Sequence, residues 1–199
     1  MNPNIKKKPS IYRLAASLLG VIYVWSLPLL ADIGFAESGS TSISKFIANP
    51  PATGAMASIS FIPLTLMWEY QDYILNRDIY FNKKRIWITT LILFQFFYGL
   101  FLTCTDGIAP DWLHTSTVIL FGTSFICHSA IILLYIESRI ISKVILGIGI
   151  LSFLSLIFVE EMWFWTFECI GFSSMLIFTP LEWVLLTDNT GRREYGVLY

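Results

Sequence analysis

The side chains able to do chemistry are few and scattered: Asp32, Asp106, His114, Glu161 and Glu168, with His128 apart from them. His114 and His128 are fourteen residues apart in one apolar run, which is roughly 21 Å along a helix. They cannot share an ion. A catalytic zinc needs three converging ligands, commonly two or more of them His, so no metal site is expected. His114 with Asp32, Asp106 or Glu168 suits a hard cation at best. No Gly-x-Ser-x-Gly elbow occurs, and Cys127 and Ser129 beside His128 would point to other faces of its helix. No cofactor motif is present, and the residues alone leave catalysis without support.

The elements that must position these groups are membrane helices. Hydrophobic residues make up 55% of the chain and charged ones 14%, far below the roughly 25% charged residues of soluble domains. Six apolar runs approach or exceed the roughly 20 residues that cross a bilayer core: 14–31, 52–75, 86–104, 115–136, 140–159 and 162–186. The expected fold is therefore all-α, a single six-helix transmembrane bundle. The first run follows a basic N-terminus but lacks a small-residue cleavage site, so it reads as a retained helix rather than a signal peptide.

Charge sets the expected orientation. Every Lys and Arg except Lys45 falls before the first run, between the second and third, at the turn from the fourth to the fifth (Arg139, and Lys143 in the fifth run's first turn), or after the sixth. The opposite loops carry Asp32, Glu37, Asp106, Asp111, Glu160 and Glu161. The positive-inside rule then makes both termini cytoplasmic. No basic stripe for nucleic acid is present. Cys104, Cys127 and Cys169 suggest small core residues rather than a disulfide framework.

Ionisable groups inside a bilayer are costly and mark candidate sites. On the expected topology Asp32, Asp106, His114 and Glu161 lie at the exoplasmic boundary, with Glu168 one to two turns below. Glu69, Asp72 and Glu182 lie near the cytoplasmic boundary, and His128 is interior. The small residues Gly54, Ala57, Ser58, Gly147 and Gly149 suggest close helix contacts. Pro63 and Pro180 suggest kinks around an internal cavity. Trp112, Trp163 and Trp165 at one interface, and Trp68, Tyr70, Trp87 and Trp183 at the other, suggest aromatic belts. The tail offers Tyr195-Gly196-Val197-Leu198, a Tyr-x-x-Leu sorting pattern formed by Tyr195 and Leu198.

Pro28-Leu29-Leu30-Ala31-Asp32-Ile33-Gly34 resembles the Pro-x-x-x-Asp-x-Gly signature of the DRAM/FRAG/SFK family of six-span membrane proteins. Gly54-Ala55-Met56 and His114-Thr115-Ser116 are similar to motifs of its damage-regulated autophagy modulators, and Glu168 falls where that family carries a Glu followed by Trp; here Cys169 follows. The resemblance implies a regulatory or lipid-binding role: membrane lipid organisation, autophagy and lysosome function, or maturation of glycosylphosphatidylinositol-anchored proteins. It also implies residence in endomembranes (lysosome, Golgi or ER) or the plasma membrane, with lipids and other membrane proteins as partners. The competing expectation is a membrane-embedded lipid-modifying enzyme using the Asp32, His114 and Glu168 cluster. A channel ranks last, because the mid-bilayer offers only His128 and scattered hydroxyls.

Overall fold

The structure, a computed structural model, describes residues 11–77, 82–136 and 140–188. Among them are seven helices and no strand: α1 (Ile11–Asp32), α2 (Ile43–Phe46), α3 (Pro50–Arg77), α4 (Lys84–Thr103), α5 (Asp111–Tyr135), α6 (Ile140–Ser155) and α7 (Glu161–Asp188). Three stretches are long and apolar enough to cross a membrane, Ala15–Asp32, Lys84–Thr103 and Asp111–Tyr135; Ile140–Ser155 and Trp163–Phe178 are shorter apolar helices. This is an architecture compatible with a membrane protein.

The ends of the helices follow from local chemistry. The Asp-x-Gly of the first connection is a helix stop: Phe35 N–H donates to Leu30 O and Gly34 N–H to Ala31 O, with Gly34 at φ +77°. Those two bonds define a Schellman motif, whose turn residue needs the left-handed conformation that glycine tolerates. The α3 helix opens on Pro50 and Pro51, whose missing N–H groups cost nothing in a first turn. Asp111 stands in the first turn of α5, where a carboxylate suits the helix dipole. The α6 helix stops at Ser155, short of the expected 159. Beyond it the chain tightens, Leu156, Ile157 and Phe158 donating to Phe153, Leu154 and Ser155 in i to i+3 turns.

The six long helices close a ring in the order α1, α3, α4, α5, α6, α7, with α3 also touching α7 across it. Phe172 of α7 is the hub. Its ring lies 5.5 Å from Phe121 (α5), 5.7 Å from Phe101 (α4), 6.0 Å from Phe153 (α6) and 6.5 Å from Tyr98 (α4), in the tilted and edge-on arrangements aromatic rings prefer. The α6 and α7 helices are joined by paired hydroxyls, Ser174 donating to Ile145 O at 2.5 Å and Ser152 to Phe167 O at 2.6 Å. Gly149 makes this approach possible, since a Cβ there would sit 2.4 Å from Ser174 Oγ. Pro28 cannot donate to Val24 O, and the Cys169 thiol takes that place at 3.6 Å.

Several side chains depart from the sequence reading. Trp87 belongs to no interfacial belt: it is fully buried, with its ring 6.4 Å from Tyr70. Cys169 is buried, but Cys127 is exposed and Cys104 only half-buried. Gly54, Ala57 and Ser58 face outward, and a Cβ on Gly54 or Gly147 would meet nothing. Spacing along one helix shows which residues share a face, but not which face meets a neighbour.

Candidate functional site

The loop between α1 and α3 folds back over one end of the bundle and carries α2. Ser42 caps α2 by accepting the Lys45 N–H at 3.3 Å. Three contacts dock this short helix. Ile43 N–H donates to the Glu168 carboxyl of α7 at 2.5 Å. Ser44 Oγ lies 3.4 Å from His114 Nε2 of α5. Lys45 Nζ lies 3.7 Å from Asp106 Oδ2 in the turn between α4 and α5. Glu168 is 3% exposed, so its bond to the Ile43 N–H relieves two buried polar groups at once, each of which would otherwise cost about 1–3 kcal/mol. The Lys45–Asp106 pair is partly exposed and contributes roughly 0–1 kcal/mol.

Under α2 lies a cavity of about 490 Å³, within the roughly 300–1,000 Å³ typical of small-molecule sites. Its upper wall is polar, formed by Ser42, Ser44, Lys45, Asp106, His114 and Glu168. Further along α5, Val118, Ile119 and Ile126, with Leu154 of α6, make it largely apolar, Thr123 standing among them, and Leu156 and Ile157 line it from beyond the end of α6. Ile119 and Leu154 are exposed, so this apolar part opens onto the outer surface of α5 and α6. Gly122 supplies width: a Cβ there would meet nothing within 4 Å. The two helices bounding the opening touch each other much less than α6 touches α7.

The histidine end of one hydrogen-bond chain fixes its direction. The Lys45 N–H can only donate, to Ser42 Oγ; Ser42 and Ser44 hydroxyls are 3.0 Å apart; and Cys104 O, 2.7 Å from His114 Nδ1, can only accept. Nδ1 therefore carries hydrogen, and in the neutral ring Nε2 is bare. The chain then runs from Lys45 N–H through the Ser42 and Ser44 hydroxyls to His114 Nε2.

Of the sequence-derived candidates, Asp106, His114 and Glu168 line this one cavity. Asp32 does not: it is exposed at the end of α1, next to the Schellman turn and away from the cavity wall. The side chain of Glu161, and the tail residues Tyr195 and Leu198, lie outside the described residues. Ser42 and Ser44 are not found from sequence, and Lys45 stands out there only as the one basic residue of its loops, because serines in a Ser-rich loop carry no pattern and His114 is 70 residues from Ser44. Pro63 and Pro180 do not bound the cavity either; α5 supplies the largest share of its wall. Among the described residues no group of three or more His, Cys, Asp or Glu is arranged to hold a metal ion.

His128 sits elsewhere and is 2% exposed. Its ring stacks on Trp87 and Phe94 at 6.0 and 6.5 Å, and Thr90 Oγ1 lies 3.3 Å from its Nδ1.

No family model, no curated protein and no solved structure matches this chain.

Proposed function

We propose that the chain is a six-span membrane protein, both termini cytoplasmic, that binds a membrane lipid at its exoplasmic end with the headgroup against α2 and an acyl chain between α5 and α6. The observation that carries this reading is the cavity's polarity gradient. Hydroxyls, His114, Lys45 and Asp106 stand at the level of the loop, and an apolar slot beneath them opens sideways. A water-borne polar ligand would have no use for the slot. A detached apolar one would leave the polar rim unpaired.

Supporting the membrane setting, large apolar side chains face outward on successive helices, among them Leu19 and Ile22 on α1, Phe96 on α4, Ile119 and Leu134 on α5, and Leu151 on α6. So broad an apolar exterior exceeds the few hundred Å² patches that soluble monomers tolerate. The α3 and α7 helices, at 28 residues each, exceed a bilayer core in length. The α6 helix reaches across by its added turns. The placement of Lys and Arg orients the bundle with α2 outside, and the resemblance to the DRAM/FRAG/SFK family supports a role in membrane lipid organisation.

In this reading Glu168 is a positioning residue. Its carboxyl is taken up by the α2 backbone, so it holds the roof of the site in place. The test is lipid extraction from the purified full-length protein, wild type against Gly122→Trp, with thermal stability measured in parallel. The indole should occupy the slot, and co-purifying lipid should fall severalfold while stability holds. Equal lipid in both proteins would overturn the assignment of the slot.

A further inference from the structure

Resting on that lipid-binding reading, we propose a catalytic activity for the same cavity: Ser44 and His114 form a nucleophile and general base that cleave a carboxylic ester of the bound lipid.

Three observations converge. First, the geometry is that of an activated hydroxyl. Ser44 Oγ is 3.4 Å from His114 Nε2, and the other ring nitrogen is held 2.7 Å from Cys104 O. A general base needs its free nitrogen aimed at the nucleophile and its opposite N–H anchored by an acceptor; here a backbone carbonyl is the anchor. A separation at the long end of hydrogen bonding is usual in an unliganded site and shortens when substrate arrives. Second, the Ser44 proton points at Nε2, because Cys104 O holds the ring hydrogen on Nδ1 and leaves Nε2 to accept, and Ser42 Oγ, 3.0 Å away, then donates to Ser44 Oγ. Third, the depth fits the substrate. In a glycerolipid the ester lies where polar headgroup gives way to apolar chain, and the cavity changes from polar to apolar between His114 and Val118, one helical turn apart.

The step balances with water as co-reactant. Ser44 Oγ attacks the ester carbonyl carbon as its proton passes to His114 Nε2. Collapse of the tetrahedral adduct breaks the bond to the lipid alcohol oxygen, which takes that proton and leaves as the lysolipid. Water, deprotonated by the same nitrogen, then splits the acyl–Ser44 ester, releasing a fatty acid and restoring the hydroxyl. Lys45 and Asp106 touch the headgroup rather than the reacting atoms. Glu168 holds α2, and with it Ser44, at the correct height.

The test uses full-length protein in phospholipid nanodiscs, treated with a lipid-like fluorophosphonate and digested for peptide mass spectrometry. The expected result is a single phosphonyl adduct on Ser44, formed on the order of 100-fold or more slowly in His114→Gln. Release of labelled fatty acid from a phospholipid should fall in parallel. An unlabelled Ser44 in wild type that still carries lipid overturns the catalytic proposal alone. Labelling that His114→Gln leaves unchanged removes the base from the mechanism and overturns it equally. A wild-type protein that neither carries lipid nor is labelled overturns the lipid reading as well. The wild-type experiment needs no variant to fold.

Discussion

The two histidines occupy opposite kinds of environment on one helix, α5. His114, in its first turn, borders a cavity and is held by a hydroxyl on one ring nitrogen and a carbonyl on the other. His128, three to four turns on, lies flat among Trp87 and Phe94 with Thr90 at its edge. Burial alone does not distinguish a working group from a packed one. What separates them is whether polar partners converge on space that a ligand can enter. Around His128 the neighbours are aromatic and the space is filled. Around His114 they are polar and the space is open.

That contrast can be broken in four ways, in descending order of effect. Phe172→Ala removes the ring shared by α4, α5, α6 and α7. It should cost about 3–5 kcal/mol, read as a large fall in thermal midpoint in detergent. An effect under 1 kcal/mol would mean that the hub is not packed as described. Glu168→Ala strands the Ile43 N–H and should cost about 1–3 kcal/mol, whereas Glu168→Gln keeps an acceptor and should recover most of it. Equal losses would show that charge, rather than the hydrogen bond to α2, matters there. Gly149→Ala drives a methyl against Ser174 and should cost about 1–3 kcal/mol; the matching change at Gly122, in open space, should leave stability nearly unaltered. Last, His128→Phe puts a larger ring into filled space and loses the Thr90 contact, so it should cost about 1–3 kcal/mol, with co-purified lipid unchanged. The same substitution at His114 should instead abolish lipid turnover.

The long helices were legible in the sequence because each is a local pattern, an apolar run bounded by charges or by proline and glycine. Each of the six expected runs overlaps one helix, with ends that differ by a few residues, most at α6, which stops at Ser155. Of the site, Asp106, His114 and Glu168 were legible because polar groups stand out against apolar runs. Asp32 stood out for the same reason, yet it sits beside the glycine turn that ends α1. The serines of α2 could not be found this way. Their role arises only when the connection of residues 33–49 folds back to meet α5 and α7, and no local pattern encodes that pairing. Trp87 shows the converse failure: position near a helix end suggested an interface, and packing put it in the core.

The central claim, a lipid with its head under α2 and its chain between α5 and α6, is tested most directly by photo-crosslinking with two diazirine phospholipids. One carries the reactive group on the headgroup and the other on the terminal part of an acyl chain. The headgroup probe should mark Ser42 to Lys45 or His114 and Thr115, and the chain probe should mark Ile126 or Leu154. Both signals should vanish in Gly122→Trp. Labels scattered around the outer faces of α1 and α4, indifferent to that substitution, would contradict the account.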